Sequence, residues 1–326
     1  MAMAIAQHGQ PSTTPNKVRI VWLAISSFRN DREVAQKLEA AQMLPRQPFA
    51  HFLVIDSLGT GAIPALIEKN GWENVTYRSY DCNLGAAGNL RERLRIATEA
   101  GADFVYALNH DGPINVDVIY SLLDQALHLT RVGAVYPLSY LSGAGAYNIT
   151  GSRKLPLPAK LVHERPSQGF IDAYWSSCNG ALYSTEPVSC GVLPDSGLWH
   201  GWEDLDYGLR LNSHGYRQVI SCDTIFEDNY EYVRVDGPAG RYRVVDKPAW
   251  ITYYTVRNLI LIARWARPAL IFPSVVAFRA TLEGFVILFF RSDKKRRLKY
   301  LIRGIVDGLR NRTGKWILPA DPVRTS

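Results

Sequence analysis

The chain has 326 residues, of which 47% are hydrophobic and 21% charged, with 25 glycines and 18 prolines. This composition excludes a disordered, collagen-like, coiled-coil or small disulfide-stapled protein and fits one large or two modest globular domains. The formal net charge of +7 is concentrated in residues 291–315, which contain ten Lys or Arg and two acidic residues. The rest of the chain is close to neutral. This disfavours nucleic-acid binding, which requires basic charge spread over a folded face.

Both ends of the chain differ in composition from its centre. Residues 1–17 are small and polar and lack the basic start and apolar core of a signal peptide, so we expect a disordered tail. Residues 249–326 combine an apolar stretch with the basic segment 291–315. We therefore expect a helical region that contacts an anionic membrane surface through residues 250–315. The four scattered cysteines predict reduced thiols in a cytosolic protein.

Short apolar runs separated by polar stretches predict an alternation of strands and helices in the first part of the chain. We expect strands at 18–25, 51–56, 74–79 and 103–108 and helices near 32–43, 61–70 and 88–100. This alternation indicates an α/β protein with a mainly parallel sheet. Ligands bind beyond the carboxyl ends of such strands, where we expect Asp56 and Asp111.

The pattern becomes irregular after residue 131, with Gly- and Pro-rich loops at 142–169. A strand is predicted at 173–183 and a helix from Glu203 onwards. Residues 269–290 are long enough to span a bilayer but contain a proline, an arginine and a glutamate, so a helix in the interface or packed on the domain is favoured. The apolar 250–290 region also makes a homo-oligomer an expectation.

Four segments contain residues that could bind a ligand or catalyse a reaction. In Asn83–Asn89, Gly85 and Gly88 allow close backbone approach, and a helix starting at the second glycine could direct N–H groups at a phosphate. An ordinary tight turn explains the same residues. Asn109 and Asp111 follow a strand and suit Mg²⁺ or Mn²⁺, although an aspartate that caps local backbone fits equally well.

The third segment runs from Trp199 to Arg210 and places three carboxylates at the start of a helix. One of these carboxylates could be a general base beside tryptophans that bind a sugar. Acidic residues in a first turn also complement the helix dipole, and Asp206 with Arg210 has the spacing of an ordinary ion pair. The fourth segment, Tyr253–Leu259, contains Arg257, which a structural ion pair would explain.

The order of these segments resembles a family 2 glycosyltransferase of the GT-A fold, especially bacterial enzymes that add rhamnose, galactofuranose or similar sugars to surface glycans. The matching segments are Val54–Ser57, Asn83–Asn89, Leu108–Asp111, Asn179–Leu182, Glu203–Arg210 and Tyr254–Asn258. The match covers residues 18–260. It implies a Rossmann-like mixed sheet flanked by helices in residues 18–248, followed by a C-terminal helical, membrane-associating extension.

The resemblance also implies roles for individual residues. Asp204 would be the general base, with Glu203 the second choice, and Asp111 and Asn109 would hold the divalent metal. The remaining assignments are donor contacts by Ser26, Asp56, Asn83, Gly85, Asn89, Asn109 and Asp111, and acceptor contacts by Asn179, Gly180, Trp199 and Trp202. Two departures from the family pattern stand out. The turn after Asp56 is altered, and residues 224–229 lack the usual histidine, so that either Glu227 or Asp228 substitutes or the metal is held more loosely.

We therefore expect an inverting enzyme that moves a sugar from a nucleotide-diphosphate donor to a glycan or polyprenyl-linked acceptor. It would be cytoplasmic and peripheral at the inner face of the cell membrane. One rival is a non-catalytic sugar- or nucleotide-binding protein on the same scaffold, favoured by Asn109 and the missing histidine. A peripheral membrane scaffold rests only on the basic segment. A nicotinamide dehydrogenase is disfavoured because no G-x-G-x-x-G follows the first strand.

Overall fold

The computed structural model describes most of the chain. The described residues are 19–44, 51–153, 160–167, 169–228, 232–237, 240–245, 247–266, 272–291 and 293–318. The predicted disordered tail, residues 1–17, lies outside them. The regular elements alternate between strand and helix in the first half, as the apolar runs predicted.

Twelve strands and nine α-helices lie within the described residues. The strands are β1 (Val21–Phe28), β2 (His51–Ser57), β3 (Val75–Tyr80), β4 (Phe104–Asn109), β5 (Val132–Leu141), β6 (Ala146–Ile149), β7 (Lys160–Val162), β8 (Phe170–Asp172), β9 (Ala181–Ser184), β10 (Arg217–Asp228), β11 (Tyr232–Gly237) and β12 (Gly240–Val245). The helices are α1 (Asp31–Gln42), α2 (Ala62–Asn70), α3 (Gly85–Glu99), α4 (Val116–Leu127), α5 (Glu186–Ser189), α6 (Glu203–Ser213), α7 (Ala249–Ala263), α8 (Phe272–Phe290) and α9 (Lys294–Leu309).

The main sheet has the order β3-β2-β1-β4-β9-β5-β10-β8. The first four strands in that order are mutually parallel, whereas β9 runs antiparallel to both β4 and β5. Strand β10 is parallel to β5, and β8 closes the edge in antiparallel orientation. The sheet is thus mixed, with a parallel half whose strands end at one edge.

Helices cover both faces of the parallel half, which explains why its strands are almost continuously apolar. In β1, Leu23 and Ile25 pack with Val34 and Leu38 of α1 on one face. Ala24, which lies between these two residues, packs on the other face with Leu90 and Leu94 of α3. Burying apolar surface on both sides fixes the positions of the strand ends, where polar residues take over.

Three predicted elements have different limits in the structure. The first strand, predicted at 18–25, is β1, which runs from Val21 to Phe28. Helix α3 begins at Gly85, one turn before the predicted start at Gly88. The predicted strand 173–183 is reduced to β9, which begins only at Ala181. Just before β9, Gly180 has a φ of +80°, which interrupts extended backbone.

The C-terminal helices pack on the rest of the molecule. Leu259 and Ile262 of α7 share an apolar cluster with Leu205 and Leu209 of α6. The Tyr253 hydroxyl of α7 donates a hydrogen bond of 2.9 Å to Asp307 of α9. Helix α9 is therefore anchored to α7 by buried contacts, although it carries much of the positive charge.

Helix α8 matches the favoured expectation for residues 269–290, because one of its sides packs on the molecule. Its Ile287 is buried with Val256 of α7 and Leu301 of α9. Phe278, Phe285 and Phe289 are exposed. Among the helices that the structure describes, none is both long and apolar enough to cross a membrane.

Candidate active site

Two neighbouring cavities lie at the edge of the sheet where β1 and β4 end. The inner cavity, of about 320 Å³, is bounded by the ends of those strands, the start of α3 and the loop before α6. Its lining residues are Ser26, Ser27, Phe28, Ser57, Asn83, Gly85, Ala86, Asn89, Arg93, Asn109, His110, Asp111, Cys178, Trp199, His200, Glu203 and Trp250. The outer cavity, of about 670 Å³, extends from the same loop towards α7 and α8.

The carboxylates at the start of α6 lie where the two cavities meet. Glu203 lines both cavities, together with Asn109 and His200, whereas Asp204 lines only the outer one. The first turn of α6 thus presents Glu203 to both cavities and Asp204 to the outer cavity. A group in the inner cavity and a group in the outer cavity can therefore approach each other beside these carboxylates.

The loop Trp199–Trp202 that precedes α6 has an unusual backbone. Trp199 and Trp202 have positive φ values of 59° and 67°, a backbone conformation that residues other than glycine rarely adopt. The side-chain amide of Asn258 donates to the carbonyls of Leu198, His200 and Gly201. These three bonds hold the strained loop in shape, and the loop sets the position of α6.

Arg257, which lies next to Asn258 on α7, also binds the chain just before this loop. Its guanidinium donates to the carbonyls of Leu198 and Gly314 and to the side-chain oxygen of Asn258. It also lies over the rings of Tyr253 and Tyr254. Within the described part of the chain Arg257 makes no ion pair, the alternative explanation of its place, but bonds to backbone carbonyls that tie the loop before α6 to the C-terminal segment.

The carboxyl of Asp204 is poised to accept a proton near neutral pH. Burial, reinforced by the nearby Glu203 carboxylate, raises the pKa of Asp204 to about 7. Its Oδ1 accepts a hydrogen bond of 2.8 Å from the N–H of Leu205. A carboxyl with such a pKa is only partly ionised at pH 7 and can gain or lose a proton readily, as a general base must.

Asp206, the third acidic residue of the turn, has a structural place. It is fully buried and accepts a 2.8 Å bond from Arg210 Nε and a 3.1 Å bond from the N–H of Asp195. The i,i+4 pair that its spacing predicted is thus present. The three acids at the start of α6 differ in role because only Glu203 and Asp204 face the cavities.

The end of β4 carries the predicted oxygen ligands. The N–H of Asn109 donates 2.9 Å to the side-chain oxygen of Asn179, and its own side-chain oxygen accepts a 3.3 Å bond from Ser26. Asp111 lies beyond the strand, exposed at the mouth of the inner cavity. Two of the predicted donor-binding side chains, Ser26 and Asn109, are therefore joined directly.

Asp228 at the end of β10 is brought near Asp111. Burial, with a further contribution from the charge of Asp111, raises the pKa of Asp228. Glu227 beside it is exposed. No group of three or more His, Cys, Asp or Glu side chains that could hold a metal ion occurs within the described residues. A pair of carboxylates that repel each other still fits a hard divalent cation that takes few protein ligands and completes its shell with diphosphate oxygens.

The start of α3 differs from a free phosphate cradle. The N–H of Gly85 bonds to the Asn83 side chain at 2.8 Å, and the N–H of Ala87 bonds to the Trp199 carbonyl at 3.1 Å. A Cβ on Gly85 would lie 2.0 Å from that same carbonyl, so the glycine permits the close approach of the Trp199 loop. The N–H of Ala87 thus holds the Trp199 loop, whereas that of Gly85 is used within its own turn. Asn83 and Gly85 form part of the wall of the inner cavity.

Asp56 and Asn89 are more deeply buried than predicted donor contacts would suggest. Asp56 is fully buried, accepts a 2.8 Å bond from the Tyr77 hydroxyl, and is covered by Gly59. It does not appear in the wall of the inner cavity, where its neighbour Ser57 does. Asn89 lines the cavity, but its side-chain amide donates a hydrogen bond of 3.1 Å to the carbonyl of Ile55.

Of the predicted acceptor residues, Trp199 lines the inner cavity and Trp202 the outer one, and Asn179 and Gly180 line neither. Trp199 is almost fully buried, stacks near Trp250 and Tyr254, and donates 3.0 Å to the Asn83 carbonyl. Asn179 holds Asn109, as described above, and a Cβ on Gly180 would meet the ring of Phe226.

Arg93, His200 and Trp250 are among the cavity-wall residues that sequence analysis missed. Arg93 is 2% exposed, donates to the carbonyls of Ala24 and Leu108, and lies near Glu203. His200 lines both cavities, and Trp250 stacks 4.8 Å from its ring. An arginine in the middle of an amphipathic helix is typical of a solvated face, so nothing in the sequence indicated that Arg93 is buried at the site.

Comparison with known proteins adds the following findings. No family model matches the chain. It is 24% identical over 210 residues to galactofuranosyltransferase GlfT1 of Mycolicibacterium smegmatis, which covers 60% of this chain and 66% of that protein. The GlfT1 of Mycobacterium tuberculosis strain H37Rv is also 24% identical, over 206 residues, covering 60% and 65% of the two chains. The chain thus spans slightly less than two thirds of the length of these relatives.

Solved structures with the same fold include glycosyltransferases. GalNAc-T7, solved with UDP, GalNAc and Mn²⁺, aligns with a TM-score of 0.56 at 13% identity, covering 90% of this chain and 56% of that one. Residues 1–349 of S. aureus TarS align with a TM-score of 0.53 at 13% identity, covering 88% and 81% of the two chains. These similarities confirm the mixed α/β sheet flanked by helices. The chain therefore has the GT-A fold, and its sequence resembles the family 2 glycosyltransferases, as the order of its motifs predicted.

Proposed function

We infer that the protein is an inverting glycosyltransferase that moves a sugar from a nucleotide-diphosphate donor to a hydroxyl of a glycan or lipid-linked acceptor. The observation that carries this proposal is the position of Glu203 and Asp204 where the two cavities meet, with burial raising the pKa of Asp204 to about 7. The name of the GlfT1 relatives supports galactofuranose as the group transferred.

In this proposal the donor occupies the inner cavity. Ser26, Asn83 and Asn109 contact it from the ends of β1 and β4 and from the start of α3. Asp111, Asn109 and Asp228 would hold Mg²⁺ or Mn²⁺, which when bound offsets the charge of the departing diphosphate. The mannosyltransferase PcManGT of Pyrobaculum calidifontis, crystallised with GDP-Man and Mn²⁺, has the same fold with a TM-score of 0.50. It is 13% identical and covers 93% of this chain and 91% of its own.

The acceptor enters the outer cavity, where Asp204 lies. Its carboxylate accepts the proton of the acceptor hydroxyl while the hydroxyl oxygen forms a bond to the anomeric carbon. The bond from that carbon to the diphosphate oxygen breaks, and its electron pair leaves with the nucleoside diphosphate. Because attack and departure occur on opposite faces in one displacement, the anomeric configuration inverts.

The proposed location follows from the surface of α9. Lys295, Lys299 and Arg310 lie around Ile302 and Val306, all of them exposed. Apolar side chains bordered by cations suit the interface of an anionic membrane. We place the protein at the inner face of the cytoplasmic membrane, where nucleotide sugars and lipid-linked acceptors meet.

The proposal is tested by incubating the protein with a panel of nucleotide sugars, Mn²⁺ or Mg²⁺ and candidate acceptors, with product detected by mass spectrometry. We expect one donor to stabilise the protein thermally and to be consumed. Asp111→Asn should weaken the binding of that donor about tenfold or more, while Asp117→Asn on the exposed face of α4 should not. Donor binding without transfer to any acceptor or to water would favour the non-catalytic binding protein.

A further inference from the structure

The wall of the inner cavity includes a buried cation, Arg93, from the middle of α3. Arg93 is 2% exposed, and burial lowers the pKa of its guanidinium. Its Nη1 donates to the carbonyls of Ala24 and Leu108, at 3.3 and 3.1 Å, close to the ends of β1 and β4. Because the guanidinium is planar, these two bonds also fix the direction of its other N–H groups before any ligand binds.

Three polar atoms of the residues in this wall are buried without a hydrogen-bond partner in the part of the chain that the structure describes. Arg93 Nε is a donor, whereas Asn89 Oδ1 and Glu203 Oε2 are acceptors. Asn89 and Arg93 are four residues apart and therefore lie on the same side of α3. The charge of Glu203 also acts on the Arg93 guanidinium. Since unpaired buried polar atoms are costly, a ligand that supplies their partners is favoured.

The combination of one donor with two acceptors favours hydroxyl groups as the ligand. A hydroxyl can accept a hydrogen bond from an N–H and donate one to an oxygen at the same time. A carboxylate or a phosphate would pair with Arg93, but it would leave Asn89 Oδ1 and Glu203 Oε2 without donors. It would also add negative charge beside the Glu203 carboxylate. The wall therefore suits a neutral ligand with several hydroxyl groups.

The position of Glu203 decides which part of a nucleotide-sugar donor meets these atoms. Glu203 lies where the inner and outer cavities meet, and the anomeric carbon has to face the acceptor hydroxyl at that place. The diphosphate belongs near the oxygen ligands at the end of β4. The ribose lies beyond the diphosphate, on the side away from the anomeric carbon. The hydroxyl groups that reach Glu203 are therefore those of the transferred sugar.

We propose that Arg93, with Asn89 and Glu203, binds hydroxyl groups of the transferred sugar and selects neutral sugars over acidic ones. This rests on the proposed function, since it names the class of sugar that the inner cavity accepts. Arg93 Nε donates to a sugar oxygen, and sugar hydroxyls donate to Asn89 Oδ1 and Glu203 Oε2. These contacts hold the anomeric carbon at the junction of the cavities, beside the proposed base Asp204.

The test compares each nucleotide sugar with its own free nucleotide by calorimetry, with Mn²⁺ and without an acceptor. The neutral probes are UDP-galactofuranose, UDP-GlcNAc, GDP-mannose and dTDP-rhamnose, and the acidic probe is UDP-glucuronic acid. We expect at least one neutral sugar to raise the affinity over its nucleotide by about tenfold or more, and glucuronic acid to give no rise.

Variants then assign the effect of the sugar to Arg93. Arg93→Met keeps an unbranched apolar stem and should reduce the rise given by the neutral sugar about tenfold, since a hydrogen bond to a charged group is lost. Binding of the free nucleotide should stay within about twofold, because the nucleotide does not reach Arg93. Arg91→Met is the matched control. Arg91 lies on the same helix but donates to the carbonyl of Pro194, and neither residue lines the inner cavity. This control should leave both affinities unchanged.

An undiminished rise in Arg93→Met would overturn the proposal, because solvent alone would then occupy the unpaired atoms. A larger rise from glucuronic acid than from every neutral sugar would overturn it too, since Arg93 would then bind a carboxylate. That comparison uses the unaltered protein, so it decides even if Arg93→Met does not fold. Binding of a free nucleotide with no rise from any sugar would reject this inference alone. Absence of binding by every nucleotide and nucleotide sugar would instead reject the proposed function.

Discussion

Asp204 is a carboxyl whose surroundings disfavour its charge. Burial and the neighbouring Glu203 both raise its pKa, whereas hydrogen bonds from the backbone N–H groups of Leu205 and of Asp204 itself, and the charge of Lys247, lower it. The folded protein therefore retains a proton on Asp204 over a pH range in which the unfolded chain has lost it. A group arranged for proton transfer in this way lowers the stability of the fold as pH rises.

This environment makes stability a readout of Asp204 that is independent of catalysis. The pKa is about 4 in the unfolded chain and about 7 in the folded one, so the destabilisation develops between those two values and is complete above pH 7. Asp204→Asn removes it. We expect the variant to melt a few degrees higher than the unaltered protein at pH 8 and at a similar temperature at pH 4. A melting-temperature difference that is the same at both pH values would contradict the raised pKa.

Positions in the cavity walls were predictable where the sequence signal is local, while the roles of these residues stay predictions. Glu203, Asp204 and Asp111 stand out because carboxylates at element ends are recognisable in sequence. Arg93 and the burial of Asp56 were not predictable, because both depend on which strands become neighbours. Asp56 reads as a strand-end acid, yet Tyr77 from the adjacent strand and Gly59 from the following loop cover it.

At the scale of elements, the loop before α6 depends on α7. Asn258→Ala removes one amide that serves the carbonyls of Leu198, His200 and Gly201. Leaving buried acceptors without donors costs about 1–3 kcal/mol, and the strained loop loses its support. We expect the free energy of unfolding in urea to fall by about 2–4 kcal/mol. Asn70→Ala, which removes an exposed bond at the end of α2, should change it by less than about 1 kcal/mol.

The close approach of α3 to the same loop gives a second prediction. Gly85→Ala places a Cβ 2.0 Å from the Trp199 carbonyl, at a φ of +70°. Gly101→Ala provides the control, since Gly101 also has a positive φ, +88°, but open space around the new Cβ. Both changes strain the backbone by about 1–2 kcal/mol. We expect Gly85→Ala to lower the free energy of unfolding by at least about 2 kcal/mol more, and equal losses would show that the contact does not matter.

Element existence was easier to predict than element limits. The strands of the parallel half were identified because burial on both faces leaves continuous apolar runs. The strand 173–183 was overestimated because aromatic residues have high β propensity, although Trp175 packs against Gly208 of α6 instead. The sequence pattern does not show whether an aromatic residue such as Trp175 lies in a strand of the sheet or packs against a helix such as α6.

For the whole molecule, the C-terminal segment joins the fold by buried contacts and presents charge on its outer face. Tyr254 bonds to the backbone of Ile317, and Arg257 bonds to Gly314. Deleting residues 291–326 would therefore expose the core and leave buried groups unpaired. The contribution of positive charge to membrane binding has to be tested by substitution.

We expect the triple variant Lys295→Gln, Lys299→Gln and Arg310→Gln to bind vesicles containing anionic phospholipid about a hundredfold more weakly, since each basic residue contributes about 1 kcal/mol. The reason is that these exposed cations border the apolar surface of α9. Arg32→Gln, Lys69→Gln and Lys160→Gln together remove the same charge elsewhere and should reduce binding far less. Equal losses in a vesicle sedimentation assay would show that net charge, not this surface, drives binding.

The central claim is that the carboxylate of Asp204 accepts the proton of an acceptor hydroxyl during sugar transfer. The most direct test is the rate of transfer by Asp204→Asn and by the unaltered protein, measured across pH with a saturating donor. The account predicts that the unaltered protein gains activity as pH rises through about 7. It also predicts that the variant transfers sugar about 10²–10⁴-fold more slowly while still binding the donor. Transfer by Asp204→Asn at an undiminished rate, with the same rise near pH 7, would contradict it.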